Sequence, residues 1–257
     1  MTISHKNDFI FMHCRKTAGS SVKCYLNNFL GFRDIQVCGW HNVLRNKGNT
    51  NMRFWWDVIS PRCTLNRSTW GIVSSTLSGN IDLYTAFNNI HKKRYYHFKN
   101  ECHPTAVEAK THYPDEWSKY FKFCFVRNPY VKAVSDYIFR VESRNKQVSF
   151  REFLLRISDK ERPDPENVVP KQPDNWPIYT INDNISVDYI GKYERLIKDM
   201  NVICKKIGIR FSRSRFPQIK KKKEYDYRKY YRTDEKKLVE TIFGREIDQF
   251  DYKFQDS

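Results

Sequence analysis

The order of apolar and polar positions divides the chain into short buried runs and one-sided helices. Residues 8–13 (DFIFMH) form an apolar run of the length of a buried strand. After the segment KTAGSS, Val22, Tyr25, Leu26 and Phe29 recur at i, i+3, i+4 and i+7, which is one face of a helix, and Gly31 stands where a C-cap glycine would. The same succession returns at Phe121–Val126 (FKFCFV). Arg127-Asn128-Pro129 stops that strand, and Val131, Val134, Ser135, Ile138 and Val141 follow at helical spacing. A third unit runs from 187–190 (VDYI), broken by Gly191, into a helix through Leu196, Ile197, Met200, Ile203 and Ile207 that ends at Gly208. Residues 105–119 read as a helix, a Pro-marked turn and the start of another element. Residues 149–157 read as a short helix, with Ser149 and Glu152 spaced as a capping box. The final helix starts at Thr233 and carries Leu238, Val239, Ile242, Phe243 and Ile247 on one face. Residues 32–100 are aromatic and irregular, with Trp40, Trp55, Trp56 and Trp70, and read as short elements and loops.

Strands alternating with helices predict a parallel sheet covered on both faces. With no internal repeat and no linker, residues 1–257 read as a single α/β domain, a central parallel sheet flanked by helices. Five of the ten prolines fall between 163 and 177, which makes that stretch a surface loop of the kind that serves as a lid or binding loop.

Composition narrows the picture. Eighteen Phe, sixteen Tyr and six Trp fill a sizeable core and exclude whole-chain disorder. No apolar stretch approaches the roughly 20 residues of a membrane span, and the opening MTISHKNDFIFMH has no signal-peptide core. The chain therefore reads as soluble and, most simply, cytoplasmic. Seven cysteines with no CxxC pair argue against a zinc ribbon or redox motif and read as reduced core residues. The formal net charge is +17, well beyond the roughly 2–8 that solubility asks of a small domain. A field of that sign gathers anions: nucleic acid, an acidic membrane, a phosphorylated cofactor or an acidic polysaccharide.

Two of the strand-to-helix turns carry chemistry. The first is Cys14-Arg15-Lys16-Thr17-Ala18-Gly19-Ser20-Ser21. Small residues let backbone N–H groups approach an anion, the helix N-terminus favours negative charge, and Lys16 with the hydroxyls of Thr17, Ser20 and Ser21 adds donors. It is not a Walker A, since GxxxxGK[ST] occurs nowhere in the chain. The plainer alternative is an ordinary capped turn. The second turn is Phe125 to Tyr130, with Arg127 at the carboxyl end of a central strand, where open α/β sheets bind ligands, and Ser135 eight residues on. An Arg and a Ser converging there can clamp a phosphate; the alternative is a surface Arg and an unrelated helix Ser.

Together the two turns resemble those of the PAPS-dependent sulfotransferases, in particular the family-2-like carbohydrate sulfotransferases and their bacterial relatives. Residues 15–21 are similar to the family's PKTAGTS loop for the 5′-phosphosulfate, with Arg15 in the usual Pro position. That exchange loosens the loop entry and adds a charge near the sulfonate. Phe125 to Tyr137 (FVRNPYVKAVSDY) is similar to its 3′-phosphate site. His103-Pro104-Thr105-Ala106, Val187 to Leu196 (VDYIGKYERL), Tyr227 to Tyr231 and Phe250 to Phe254 (FDYKF) resemble further family segments, in family order.

The resemblance implies a P-loop-NTPase-like sulfotransferase fold and sulfuryl transfer from 3′-phosphoadenosine-5′-phosphosulfate (PAPS) to an acceptor hydroxyl, on a carbohydrate by family analogy, with PAP as product and no metal. It assigns Arg15, Lys16, Thr17, Ala18, Gly19, Ser20 and Ser21 to the phosphosulfate, and Arg127 and Ser135 to the 3′-phosphate, the two turns facing one crevice about one donor length apart. Lys16 also stabilises charge on the bridging oxygen. His103 is the first choice of general base and His13 the second, with His112 and Glu194 as further alternatives. The basic segment 220–232 is either a solvated loop or a flap over the 3′-phosphate, the latter with Lys223 and Tyr227 as contacts. Two other classes stay open. One is a P-loop-like small-molecule kinase, which lacks its Walker lysine here. The other is a non-enzymatic polyanion or nucleic-acid binder, which has only the charge behind it and no specific nucleic-acid motif.

Overall fold

The computed structural model describes residues 1–59, 67–100, 102–217, 219 and 225–255. A five-stranded sheet has the order β3-β1-β2-β4-β7, built from β1 (Thr2–Ser4), β2 (Phe9–Met12), β3 (Ile35–Gln36), β4 (Phe121–Val126) and β7 (Tyr189–Lys192). β2, β4 and β7 run parallel, in register Phe11 to Phe123 and Phe123 to Tyr189. β1 pairs antiparallel with both β2 and β3, so the sheet is mixed rather than wholly parallel. The physical reason is the four-residue turn from His5 to Asp8, because strands joined by a tight hairpin can only pair antiparallel. A small hairpin, β5 (Thr180–Ile181) and β6 (Asn184–Ile185), lies apart.

Strand alternation sorts the core. Ile10, Met12, Cys124 and Val126 face one side with Trp117, Trp176 and Tyr179. Phe9, Phe11, Phe123 and Phe125 face the other, against α1 (Gly19–Asn27) and the helix Leu196–Lys206. Gly191 lies inside β7 rather than ending it. A Cβ there would fall 2.4 Å from Phe125 Cε1, so the ring of the neighbouring strand occupies the space a side chain would need. Gly31 does not cap α1 either. Asn28 does so earlier, donating from Nδ2 to the Cys24 and Tyr25 carbonyls at 3.2 and 3.1 Å.

Residues 32–100 are more helical than expected: α2 (Trp40–Arg45), α3 (Met52–Ile59), α4 (Arg67–Leu77) and α5 (Leu83–Lys92). After α6 (Ala106–His112), α7 (Pro114–Lys119) leads into β4. α8 (Pro129–Arg140) and α9 (Phe150–Ser158) pack with the last helix, Thr233–Phe250, in a separate apolar cluster. Ser149 accepts from Glu152 N at 3.1 Å as a cap, but the Glu152 carboxylate is taken by Arg156 and Arg162, so the box does not close. Lys132 and Glu246, both buried, pair at 3.4 Å between α8 and the last helix, with Tyr179 donating to Glu246 at 2.8 Å. Lys132 is thus a core residue of its motif.

The cysteine expectation needs correction. Cys38 and Cys102 form a disulfide, with Cα atoms 5.3 Å apart across 64 residues of sequence. Helices α2 to α5 fold back and bring the two together, which spacing along the chain does not reveal. Cys14, Cys24, Cys124 and Cys204 are buried and form no disulfide among the described residues, as read from the sequence, and Cys63 lies outside the described residues. Among the described residues no helix is long and apolar enough to cross a membrane.

Candidate active site

The β2–α1 turn is held in an unusual shape. Lys16 and Ala18 have φ of 60° and 63°, left-handed values that cost a non-glycine residue about 1–2 kcal/mol each. Three contacts hold the turn there. Thr17 Oγ1 donates to the Cys14 carbonyl at 3.0 Å. The buried Asn175 bridges Arg15 on both sides, accepting from its N–H at 2.8 Å and donating to its carbonyl at 3.2 Å. Arg127 Nη1 donates to the Lys16 carbonyl at 3.2 Å. α1 then starts with no side-chain cap, so its first N–H groups face the space before the loop.

The hydroxyls divide. Thr17 is fully buried and uses its proton within the turn. Ser20 Oγ accepts from Asn42 Nδ2 at 3.3 Å and Ser21 Oγ from Ile219 N at 3.1 Å, so each keeps its own proton to donate. Arg15 behaves differently from expectation. One nitrogen of its guanidinium, Nη2, reaches both oxygens of Asp136 at 2.7 and 2.8 Å, while its buried Nε has no partner among the described residues. Asn175 replaces the stiffness that a proline would have supplied. The Lys16 ammonium lies 4.5 Å over the Phe139 ring of α8.

The second turn is braced from below. Asn128 caps α8 through Tyr130 N at 3.0 Å, donates to the Lys253 carbonyl at 2.9 Å, and gives its own N–H to Glu194 at 2.8 Å. Glu194 also accepts from Tyr252 at 3.3 Å, so it is a brace of this turn and not a base facing a substrate. Arg127 stacks over Tyr193 at 4.1 Å, and its buried Nε has no partner among the described residues. Arg127 thus joins the two turns directly, its guanidinium reaching from the end of β4 to the loop carbonyl of Lys16. Ser135 is half-buried on α8, next to Asp136.

Two histidines close the crevice. Gly19 permits His13 to lie directly on the loop, since a Cβ there would fall 1.9 Å from His13 Cδ2 and Nε2. The His13 and His103 rings are 4.6 Å apart. His103 Nδ1 is 2.7 Å from the His13 carbonyl. A carbonyl only accepts, so Nδ1 carries the proton and Nε2 the lone pair. Burial, with the nearby Arg15 charge, holds this imidazole well below its ordinary pKa despite that hydrogen bond. His103 is thus a neutral histidine with its basic nitrogen directed away from its anchor. His112 sits instead at the end of α6, against His97 and Phe98.

Tyr227 packs on Tyr231 and Phe254, and its hydroxyl accepts from Gln255 N at 3.1 Å, a packing role. Lys223 and the rest of the lysine run 220–223 lie outside the described residues. The loop over 163–177 is irregular as expected, but Val168 and Asn175 are fully buried, so it is docked rather than free. Asn175, Asp136, Tyr193 and Phe139 were not singled out from sequence. Asn175 meets Arg15 across 160 positions, and no local pattern carries such a contact.

The profile of the "Sulfotransferase family" matches residues 1–253. A curated relative from Archaeoglobus fulgidus, named "Uncharacterized protein", is 38% identical over 96 residues, 35% of this chain and 69% of its own length. No solved structure matches the chain.

Proposed function

The chain belongs to the sulfotransferase family, and from that premise we propose that it transfers the sulfuryl group of PAPS to an acceptor hydroxyl on a carbohydrate, on a P-loop-NTPase-like sulfotransferase fold. The observation that carries this reading is the joining of the two turns: Arg127 bonds to the Lys16 carbonyl, and the His13–His103 pair lies over Gly19. The residues present fit an anionic donor. The α1 N–H groups are uncapped, Ser20 and Ser21 keep a proton to donate, and Arg127 Nε is buried with a donor unused among the described residues.

In this reading Lys16, the N–H groups of residues 17–21 and the two serines hold the phosphosulfate. Arg127 and Ser135 hold the 3′-phosphate. His103 Nε2 takes the proton of the acceptor hydroxyl as its oxygen bonds to sulfur and the bond from sulfur to the bridging oxygen breaks. PAP leaves with the electron pair, and Lys16 and the helix N–H groups stabilise that charge as it develops. The Thr17 hydroxyl and the Arg15–Asp136 pair shape the loop, and Thr17 meets the donor through its N–H alone.

Calorimetric titration with PAP, with ATP as control, tests the donor site. Micromolar or tighter PAP binding, weak ATP binding and loss of PAP binding in Arg127→Ala are expected. Folded protein that ignores PAP, or that binds ATP equally well, would refute the proposal.

A further inference from the structure

Cys102 immediately precedes His103, and its disulfide partner Cys38 follows β3 at the edge of the sheet. Cys38 is itself fixed to the helix that opens from the phosphosulfate loop: Lys23, buried on α1, donates from Nζ to the Cys38 carbonyl at 3.1 Å. From the other side, His103 bonds to the His13 carbonyl at the end of β2. Among the described residues between Phe98 and the start of α6 at Ala106 there is no helix or strand. His103 is therefore held by its own Nδ1 bond, by its N–H donating to the Asn100 carbonyl at 3.0 Å, and by the bridge one residue before it, which alone of the three ties the segment covalently to the edge of the sheet.

We propose that the Cys38–Cys102 disulfide is a positioning element for the general base, holding His103 in register with the phosphosulfate loop so that turnover depends on the bridge while donor binding does not. This rests on the reading of His103 as base. A dithiol reverses the device: it supplies two electrons and two protons, is itself oxidised to a disulfide, and leaves Cys38 and Cys102 as thiols. Cys102 is half-buried, which gives a small reductant access. Once the bridge is open, the base segment is tied to the sheet through α2–α5 on one side and α6 on the other, and its imidazole gains water. The groups facing His103 are His13, Arg15, Lys23 and the Met1 amino group, none of them an acid that would hold the ring by charge.

The test compares oxidised protein, dithiothreitol-treated protein and the Cys38→Ser/Cys102→Ser variant. Alkylation with mass analysis reports the state of both cysteines. kcat, the pH profile of kcat and the calorimetric Kd for PAP are the readouts. The expected result is a fall in kcat of about ten- to a hundredfold on opening the bridge, with PAP affinity kept within about twofold. The acid limb of kcat should move up toward the ordinary imidazole value of about 6.5, and reoxidation of the dithiol-treated protein should restore both kcat and its pH profile.

Unchanged kcat in verified reduced protein overturns the proposal, as does absence of the bridge in purified oxidised protein. Loss of PAP binding together with kcat also overturns it, because the bridge would then support the domain at large. His103→Ala in oxidised protein separates the two readings. If that variant keeps its kcat, the base assignment fails and the proposal with it. If it is inactive while reduction has no effect, only the bridge proposal fails.

Discussion

At the scale of single residues, the proposed function separates groups that bind from groups that react. Arg127 is held on Tyr193 and against the loop carbonyl, so on that proposal it contacts the donor before and after transfer alike. Lys16 is suited to the charge that appears only as the bridging bond breaks. Arg127→Ala should therefore raise KM for the donor in step with its loss of PAP affinity. Lys16→Ala should lower kcat, each costing about tenfold or more in kcat/KM. Steady-state kinetics on both variants check the split, and equal effects on KM alone would reject it. His103 gives a pH prediction. Its folded pKa lies below the unfolded value of about 6.5, chiefly through burial and then through Arg15. The unfolded chain thus binds its proton first as pH falls. The stability associated with keeping this ring neutral is complete above about 6.5 and is lost as pH drops toward the folded value. The base stays available over the same interval, so the acid limb of kcat/KM should lie below 6.5, and an inflection above it would place the base elsewhere.

At the scale of elements, the three strand–turn–helix units were legible because strand period, helix period and stop signals agree at each. The remainder was hidden for identifiable reasons. β1 and β3 are three and two residues long, too short for alternation to register. Helices α3 and α5 meet around Asp57, which is fully buried. It accepts from Tyr95 at 2.6 Å and lies 3.5 Å from His91, so polar residues stand where an apolar stripe would announce a core face. Burial pushes the Asp57 carboxyl up, yet hydrogen bonds from His91 and Tyr95 and the Arg53 charge bring it below its usual value. Gly191 shows the opposite trap: a glycine in an apolar run reads as a stop when its function is to admit a neighbouring ring. Gly191→Ala should therefore destabilise the sheet by about 1–3 kcal/mol, roughly 3–10 °C in Tm. Thermal unfolding measures it, and an unchanged Tm would mean that Phe125 swings clear at no cost.

At the scale of the whole molecule, the candidate site residues were legible where they stand in motifs, and their partners were not where the contact spans the chain. Lys16, Arg127 and His103 lie in motifs, whereas Asn175 and the Cys38–Cys102 bridge lie outside them, and the pairing of Asp136 with Arg15 crosses 121 positions. The bridge also removes the cysteine half of the expectation of reduced thiols in a cytoplasmic protein, since disulfides persist in oxidising surroundings. The net charge of +17 remains a property of the whole surface, and it bears on how an anionic donor arrives. A polyanion such as PAPS is drawn by that field over distances that salt screens, about 10 Å at 0.1 M. On the proposed reading it is held by half-buried groups such as Arg127, and salt screens such short contacts less. Raising ionic strength from about 0.05 to 0.5 M should therefore raise KM for the donor severalfold, while kcat changes by less than about twofold. Kinetics in sodium chloride, with a neutral osmolyte as control, read the two parameters apart. A kcat that falls with salt while KM holds would put the distributed charge in the chemical step, and the crevice alone would no longer account for the catalysis.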